Sequence, residues 1–141
     1  MINDYQLVLS DAQAITNATA NSTYYIDTLV AGNAITPGAT INVKINTACT
    51  TSDGGTIVAA LYTSTSSDLS TGAVALVTAP TLTVVSAAAG SAAGVTLIRC
   101  VIPTGCLRYL FVKYTLTNNL TAGAFDAWIN LDSDITLDGK G

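Results

Sequence analysis

The stretch Thr40-Ile-Asn-Val-Lys-Ile-Asn46 decides the fold class, because apolar and polar residues alternate in it with a period of two. In an extended strand, Ile41, Val43 and Ile45 would lie on one face and the polar residues between them on the other. A strand of this kind covers a core with one face and meets water with the other, as in antiparallel sheets. The stretch therefore predicts a half-buried antiparallel strand.

Shorter runs of the same kind recur on both sides of this strand, separated by Gly, Pro, Asn, Asp and Ser. Many short strands with turn residues between them are typical of an all-β sandwich or barrel. Because about eight antiparallel strands in two sheets make a jelly roll, we predict an all-β, two-sheet antiparallel sandwich with this topology. An immunoglobulin-like sandwich is the second choice, since its Cys…Trp…Cys spacing is missing. Pro80 separates two runs and favours an edge position there. The predicted strands are 6–10, 23–28, 40–46, 56–64, 73–78, 81–86, 95–102, 107–117 and 124–131.

The chain length of 141 residues predicts a single domain over residues 1–141, since one domain takes about 150 residues. A domain of this size buries enough surface to fold without a metal ion or a disulfide. We expect the N-terminal segment 1–16 to form an arm. The polar, acidic tail 132–141 is expected to be loosely held.

The charge of the chain argues against nucleic acid and membrane partners. Only 10% of the residues are charged, the cations number five, and the net charge is −4. Scattered cations in an acidic chain cannot neutralise a run of phosphates. The uncharged stretch 69–98 is interrupted by Pro and Gly, whereas a spanning helix needs about 20 predominantly apolar residues in a row. We therefore predict neither kind of partner.

The residue types that most enzymes use are scarce here. The chain contains no His and no Glu, so a Ser or Cys nucleophile would lack its usual base. Paired carboxylates of a glycosidase would have to be Asp, and the nearest cluster, Asp132, Asp134 and Asp138, lies in the tail. That cluster lacks the loop of an EF-hand and indicates a solvated acidic tail. We predict no enzymatic activity, no metal and no cofactor.

The three cysteines, Cys49, Cys100 and Cys106, show no metal-ligand spacing. We expect three reduced and largely buried thiols. A disulfide between Cys100 and Cys106, across the turn at 103–105, is the alternative that the sequence leaves open.

Three aromatic residues stand among polar residues in the predicted strands 107–117 and 124–131. The alternation places Tyr109, Phe111 and Trp128 opposite the residues that would face the core. Exposed aromatic side chains usually mark a contact surface. We therefore predict that these three residues form an oligomer contact. The alternative is that the chain's own N-terminus or a long loop covers them.

Two stretches of the sequence resemble the capsid cement (decoration) proteins of tailed bacteriophages. The first is Gln6-Leu-Val-Leu-Ser-Asp-Ala-Gln-Ala-Ile-Thr16; the second comprises Arg108-Tyr-Leu, Lys113-Tyr-Thr and Leu120-Thr-Ala-Gly-Ala124. Between about residues 49 and 95 the chain is similar only in general character. These motifs carry no catalytic chemistry, so their specificity depends on the Leu-Ser-Asp-Ala-Gln run and on the presence of both stretches in one short chain.

The resemblance implies a jelly-roll subunit on the outer surface of the virion capsid, made in the host cytoplasm. It would bridge neighbouring major capsid proteins, stabilise the expanded shell and associate with itself as a dimer or trimer. On this interpretation the N-terminal segment reaches a capsid subunit. The candidate capsid contacts are Tyr5, Gln6, Asp11 and Gln13.

A second interpretation is a carbohydrate-binding module, or an adhesin or fibre domain, of a phage particle. Jelly rolls bind sugars in many proteins, and fold alone does not decide function. A sugar site would pair an aromatic ring with hydrogen-bonding side chains, and Trp128 beside Asp126 and Asn130 is compatible with that.

Overall fold

The computed structural model describes residues 7–17, 19–29, 38–85 and 91–131, and these ranges contain ten strands. The strands are β1 (Val8–Ala14), β2 (Ala20–Asn21), β3 (Ile26–Asp27), β4 (Thr40–Thr50), β5 (Gly55–Ser64), β6 (Val74–Thr78), β7 (Leu82–Val84), β8 (Thr96–Val101), β9 (Tyr109–Leu116) and β10 (Ala122–Asn130).

The strands form two antiparallel sheets that pack face to face. The first sheet has the order β1-β10-β4-β8; in the second sheet, β9 and β5 are central, β2 and β3 share the outer side of β9, and β6 and β7 share the outer side of β5. The ten strands therefore occupy eight positions, four in each sheet. This order, with consecutive strands crossing between the sheets, is that of a jelly roll. The predicted all-β two-sheet sandwich is confirmed.

Strand β4 follows the alternation of its sequence. Ile41, Val43 and Ile45 are fully buried, and their side chains point to the second sheet. The strand is longer than predicted and continues to Thr50, where it still pairs with β10. Pairing with β10 supports this extension, whereas β8 pairs only with residues 40–44 of β4, and local sequence does not encode these partners.

Of the strand predicted at 23–28, only β3 (Ile26–Asp27) is formed, and a second short strand, β2 (Ala20–Asn21), precedes it. Between them, the Ser22 hydroxyl accepts a hydrogen bond from the Val112 backbone N–H at 3.0 Å and donates one to the Tyr24 carbonyl at 2.8 Å. A side chain thus replaces a backbone group of the ladder, which interrupts the strand while β9 stays satisfied.

The N-terminal segment was expected to form an arm, but its described part contains a strand of the first sheet. Val8–Ala14 is edge strand β1, paired with β10, and Leu9 within it is fully buried in the core. Burial of an apolar side chain such as Leu9 contributes about 1.5–3 kcal/mol and fastens the segment to the domain. Residues 1–6 and the tail 132–141 lie outside the described residues.

The core between the sheets is apolar, with one polar connection. The rings of Tyr114 on β9 and Phe125 on β10 meet across the sheets, 5.0 Å apart. The Tyr114 hydroxyl donates to the Ser10 hydroxyl oxygen of β1 at 3.0 Å, so this buried O–H is satisfied. The largest fully buried side chains are those of Tyr114, Phe111, Phe125, Leu9, Ile41, Ile45, Ile57, Leu61, Leu110, Val43, Val84 and Val112.

Pro80 separates β6 from β7 at the outer side of β5, as predicted. The two strands pair with successive parts of β5, and the Ala79 N–H donates to the Ala59 carbonyl at 2.9 Å just before the break. An edge position tolerates the missing N–H of proline.

All three cysteines are free thiols, so the Cys100–Cys106 disulfide is not formed. Cys49 and Cys106 are buried and Cys100 is half-buried. Burial raises the pKa of Cys49 to about 11, which keeps this thiol protonated at neutral pH.

Candidate functional site

The three aromatic residues predicted to share one face lie on two different sheets. Tyr109 and Phe111 belong to β9 of the second sheet, and Trp128 belongs to β10 of the first. Because the two outer faces point in opposite directions, the expectation of one joint contact face is wrong. The alternation along each strand is as predicted, but the chain crosses between the sheets after β9.

The second sheet covers its own aromatic residues. Phe111 is only 1% exposed, and the ring of Tyr62 on the paired strand β5 lies 5.7 Å from its ring. Tyr109 meets the ring of Tyr25 edge-on at 5.5 Å. Both residues are buried by the chain itself, although the ring against Phe111 comes from strand β5 and not from the N-terminus or a long loop.

Arg108 fastens β3 beside these rings. Its guanidinium donates to both carboxylate oxygens of Asp27, at 2.8 and 2.9 Å, and lies 5.1 Å from the centre of the Tyr109 ring. The hydrogen bonds from Arg108 hold the pKa of Asp27 below its ordinary value. The motif Arg108-Tyr-Leu of the resemblance therefore has a structural role in the second sheet.

The outer face of the first sheet carries a row of paired residues that runs across all four of its strands. Val8 pairs with Trp128, Trp128 with Asn42, and Asn42 with Arg99. The neighbours of Asn42 in the chain, Ile41 and Val43, point to the core, so Asn42 and its row point outward.

Among the residues that the structure describes, two hydrogen-bond donors of this row have no partner. The amide nitrogen Nδ2 of Asn42 and the indole nitrogen Nε1 of Trp128 are both inaccessible to water and unpaired. Asn42 is only 7% exposed, although it lies on an outer face. The ammonium of Lys44, the next outward residue of β4, lies 5.9 Å from the centre of the Trp128 ring. We name Asn42, Lys44, Arg99 and Trp128 the donor cluster.

The nearest carboxylate to the donor cluster is already engaged. Asp126 pairs in register with Lys44, but its Oδ1 accepts the Ala12 N–H at 2.7 Å and its Oδ2 accepts from Asn46 Nδ2 at 2.9 Å. Ala12 has a positive φ of 45°, so Asp126 secures an irregular part of β1. The cluster therefore combines two cations and two free donors with one occupied acceptor.

The four predicted capsid contacts at the N-terminus differ in whether the structure describes them and in whether their side chains are exposed. Tyr5 and Gln6 lie outside the described residues. Asp11 is exposed on edge strand β1. Gln13 is used internally, because its Nε2 donates to the Asn21 carbonyl at 2.9 Å and its Oε1 accepts the Thr23 N–H at 2.8 Å. Of the four, Asp11 is the one whose side chain the described structure shows as exposed.

The first resembling stretch meets the Leu120-Thr-Ala-Gly-Ala124 part of the second in the fold, whereas the other two parts of the second stretch lie at β9 of the second sheet. Gln13 and Ala14 of β1 pair with Phe125 and Ala124 of β10, and the Ile15 N–H donates to the Gly123 carbonyl at 3.1 Å. Segments separated by about a hundred residues thus form one edge of the first sheet.

Gly123, within this edge, is packed so closely that a side chain there would have to displace its neighbours by a few tenths of an ångström. A Cβ atom there would lie 3.1 Å from Leu120 Cδ1 and 3.2 Å from Cys49 Sγ. The Leu120-Thr-Ala-Gly-Ala124 motif therefore includes a packing requirement of the core.

The sequence model of the Bbp16 family matches residues 9–129, which is most of the chain. The chain belongs to the Bbp16 family. The match runs from within β1 to within β10. It therefore includes most of the first resembling stretch and all of the second. A search of curated proteins found no match.

Sequence reasoning missed three members of the donor cluster in this Bbp16-family protein: Asn42, Lys44 and Arg99. The alternation of 40–46 already placed Asn42 and Lys44 on the polar face. Their proximity to Trp128 depends on the pairing of β4 with β10, two strands far apart in sequence, and no local signal indicates that pairing.

Other kinds of site find little support in the described ranges. No three His, Cys, Asp or Glu residues there lie close enough together to hold a metal ion. In the same ranges, no helix has the length and apolar character needed to cross a bilayer. A polar concavity of about 480 Å³ lies between the β4–β5 and β9–β10 loops, lined by Ser52, Asp53, Thr117, Asn118, Asn119, Leu120 and Thr121.

Proposed function

We propose that this Bbp16-family protein is a structural virion protein, a cement or decoration subunit on the outer surface of a tailed-phage capsid. It would bridge adjacent major capsid proteins and stabilise the shell, associating with itself as a dimer or trimer. The proposal includes no catalytic activity, and measured turnover of a substrate would contradict it.

The observation that carries the proposal is the pairing of the first resembling stretch, in β1, with the Leu120-Thr-Ala-Gly-Ala124 part of the second, at the start of β10. Similarity scattered over a surface would suggest a shared fold and nothing more. Here these two parts build one edge of the first sheet, and Asp11 is exposed on that edge. A common edge is what a shared docking surface requires.

The protein would stabilise the shell by thermodynamic linkage between its own binding and the assembled state of the lattice. A subunit that binds only the assembled lattice stabilises it by about 2.7 kcal/mol per site at a hundredfold excess over Kd. A subunit that contacts two capsid proteins couples their separation to the loss of both contacts, and self-association adds avidity. A jelly roll suits this task because its strands are held by ladder hydrogen bonds on both sides of each central strand.

The test is rebinding to capsids stripped of this protein. Purified protein should co-sediment with mature heads and raise their melting temperature. We expect Asp11→Ala to lower occupancy, whereas Asp53→Ala, an exposed carboxylate in the β4–β5 loop, should leave it unchanged. Heads whose heat resistance is the same with and without the protein would exclude the proposed function.

The carbohydrate-binding alternative loses support from the geometry around Trp128. A ring that stacks on a sugar must present a free face, but Lys44 lies over this ring. Both carboxylate oxygens of Asp126 are engaged within the chain. A glycan array that gave specific binding would restore this alternative.

A further inference from the structure

The donor cluster contains buried polar atoms that the fold does not explain. Most buried N–H groups in proteins are hydrogen-bonded, and leaving one unpaired destabilises the folded state. Here two such donors, Asn42 Nδ2 and Trp128 Nε1, occur on directly paired residues. Both atoms can only donate, so the missing partner is an acceptor.

The charges around these donors give the sign of that acceptor. Lys44 lies on β4, the strand that contains Asn42, and Arg99 lies on the neighbouring strand β8. In the described part of the chain, neither Arg99 nor Lys44 makes an ion pair, and the Lys44 ammonium lies over the Trp128 ring. Asp126, the described carboxylate that pairs in register with Lys44, already accepts hydrogen bonds from Ala12 and Asn46. An anionic oxygen is therefore the complementary ligand.

We propose that Asn42, Lys44, Arg99 and Trp128 bind the carboxylate of an Asp or Glu side chain on a partner protein. On binding, the Lys44 side chain would move off the indole ring and pair with the carboxylate, and this movement would uncover Asn42 Nδ2 and Trp128 Nε1, which would donate to the carboxylate oxygens. The inference deepens the proposed function and, for the identity of the partner as the capsid shell, rests on it.

A protein carboxylate fits better than the other carriers of an anionic oxygen. An acidic sugar would also need acceptors for its hydroxyl groups beside the Trp128 ring, and both carboxylate oxygens of Asp126 are engaged within the chain. A phosphate polyanion would meet a protein of net charge −4 with only two cations near the cluster. A symmetric contact with a second copy through this patch would bring Lys44 and Arg99 against their own copies, which repel.

The binding test uses the single tryptophan of the chain as its reporter. A ¹⁵N-labelled sample has one indole N–H signal, and its position is recorded while a hexa-aspartate peptide is added. We expect a saturable shift of this signal and a change in Trp128 fluorescence, both weakened by salt. Hexa-asparagine should cause neither change, and glucuronate should cause a weaker one.

The variants separate recognition from folding. Lys44→Gln and Asn42→Leu should each weaken hexa-aspartate binding about tenfold, the effect of losing a charge-assisted hydrogen bond. Asn42→Leu should at the same time raise the melting temperature, because it replaces an unpaired donor with an apolar group. Lys113→Gln is the matched control, since Lys113 lies over the Tyr62 ring on the other sheet, 5.4 Å from its centre, and its loss should leave binding unchanged.

Three outcomes would overturn the inference: no shift of the indole signal with hexa-aspartate, equal effects of Lys113→Gln and Lys44→Gln, or tighter binding of glucuronate than of the peptide. Rebinding to stripped heads distinguishes this failure from that of the proposed function. If wild-type protein rebinds and Lys44→Gln rebinds equally well, the carboxylate site is wrong and the cement function stands. If the protein binds hexa-aspartate as expected but does not rebind to stripped heads, the carboxylate site stands and the cement function is wrong.

Discussion

At the scale of single residues, a short chain of hydroxyl and amide groups joins the two sheets. The Tyr114 hydroxyl donates to Ser10 Oγ at 3.0 Å, and Ser10 Oγ donates to Gln13 Oε1 at 2.8 Å. Burial raises the pKa of Tyr114, so this group donates throughout the physiological range. The chain ends on the Thr23 N–H, which donates to the same Gln13 oxygen.

We predict that Ser10→Ala lowers the free energy of unfolding by about 1–3 kcal/mol, because it leaves the buried Tyr114 O–H without an acceptor. Urea denaturation checks this. Tyr114→Phe should cost less, and the double variant should be less destabilised than the sum of the single changes. Strict additivity would mean that the hydrogen bond does not contribute.

At the scale of elements, edge strands are held by side chains as well as by ladders. Strand β3 has only two residues, and the Arg108–Asp27 ion pair fastens it to β9. Strand β1 is irregular, and Asp126 accepts from its Ala12 N–H. Short or bulged edges discourage pairing with other chains, and these side chains secure them at that length.

The Arg108–Asp27 pair predicts an acid sensitivity of the fold. The folded pKa of Asp27 is lowered, so its contribution to stability is present above the unfolded pKa of about 3.9 and is lost as pH falls through the folded value. Between pH 6 and pH 3, wild-type protein should lose more stability than Asp27→Asn in urea denaturation. In an Arg108→Gln background most of this difference should vanish; a difference of the same size there would contradict the assignment.

At the scale of the whole molecule, the two sheets share one core, and side chains buried in that core become exposed to solvent when the protein unfolds. Cys49 of β4 is 1% exposed and lies beside Gly123 of β10. Its thiol is therefore a reporter of global opening.

We predict that the protein loses stability at alkaline pH through Cys49. Burial raises the folded pKa of this thiol to about 11, above its ordinary value of 9.0. The stabilising contribution is therefore complete below about pH 9 and is lost as pH rises through about 11. Under reducing conditions, Cys49→Ala should flatten the decline of stability between pH 8 and pH 11, whereas the half-buried Cys100→Ala should flatten it less. Equal slopes in wild-type and Cys49→Ala protein would contradict the prediction.

The sequence by itself determined the class of fold and the inward or outward direction of most strand residues. Period-two alternation follows from the geometry of a single strand, so the burial of Ile41, Val43 and Ile45 could be predicted locally. The outward positions of Tyr109, Phe111 and Trp128 along their own strands followed in the same way.

Only the tertiary structure decided which strands are neighbours, and with that which outward residues meet. Tyr109 and Trp128 face opposite ways because β9 and β10 belong to different sheets. Asn42, Arg99 and Trp128 form one row because β4 pairs with both β8 and β10. Strand pairing depends on contacts between residues far apart in the chain, and alternation within one strand contains no information about its neighbour.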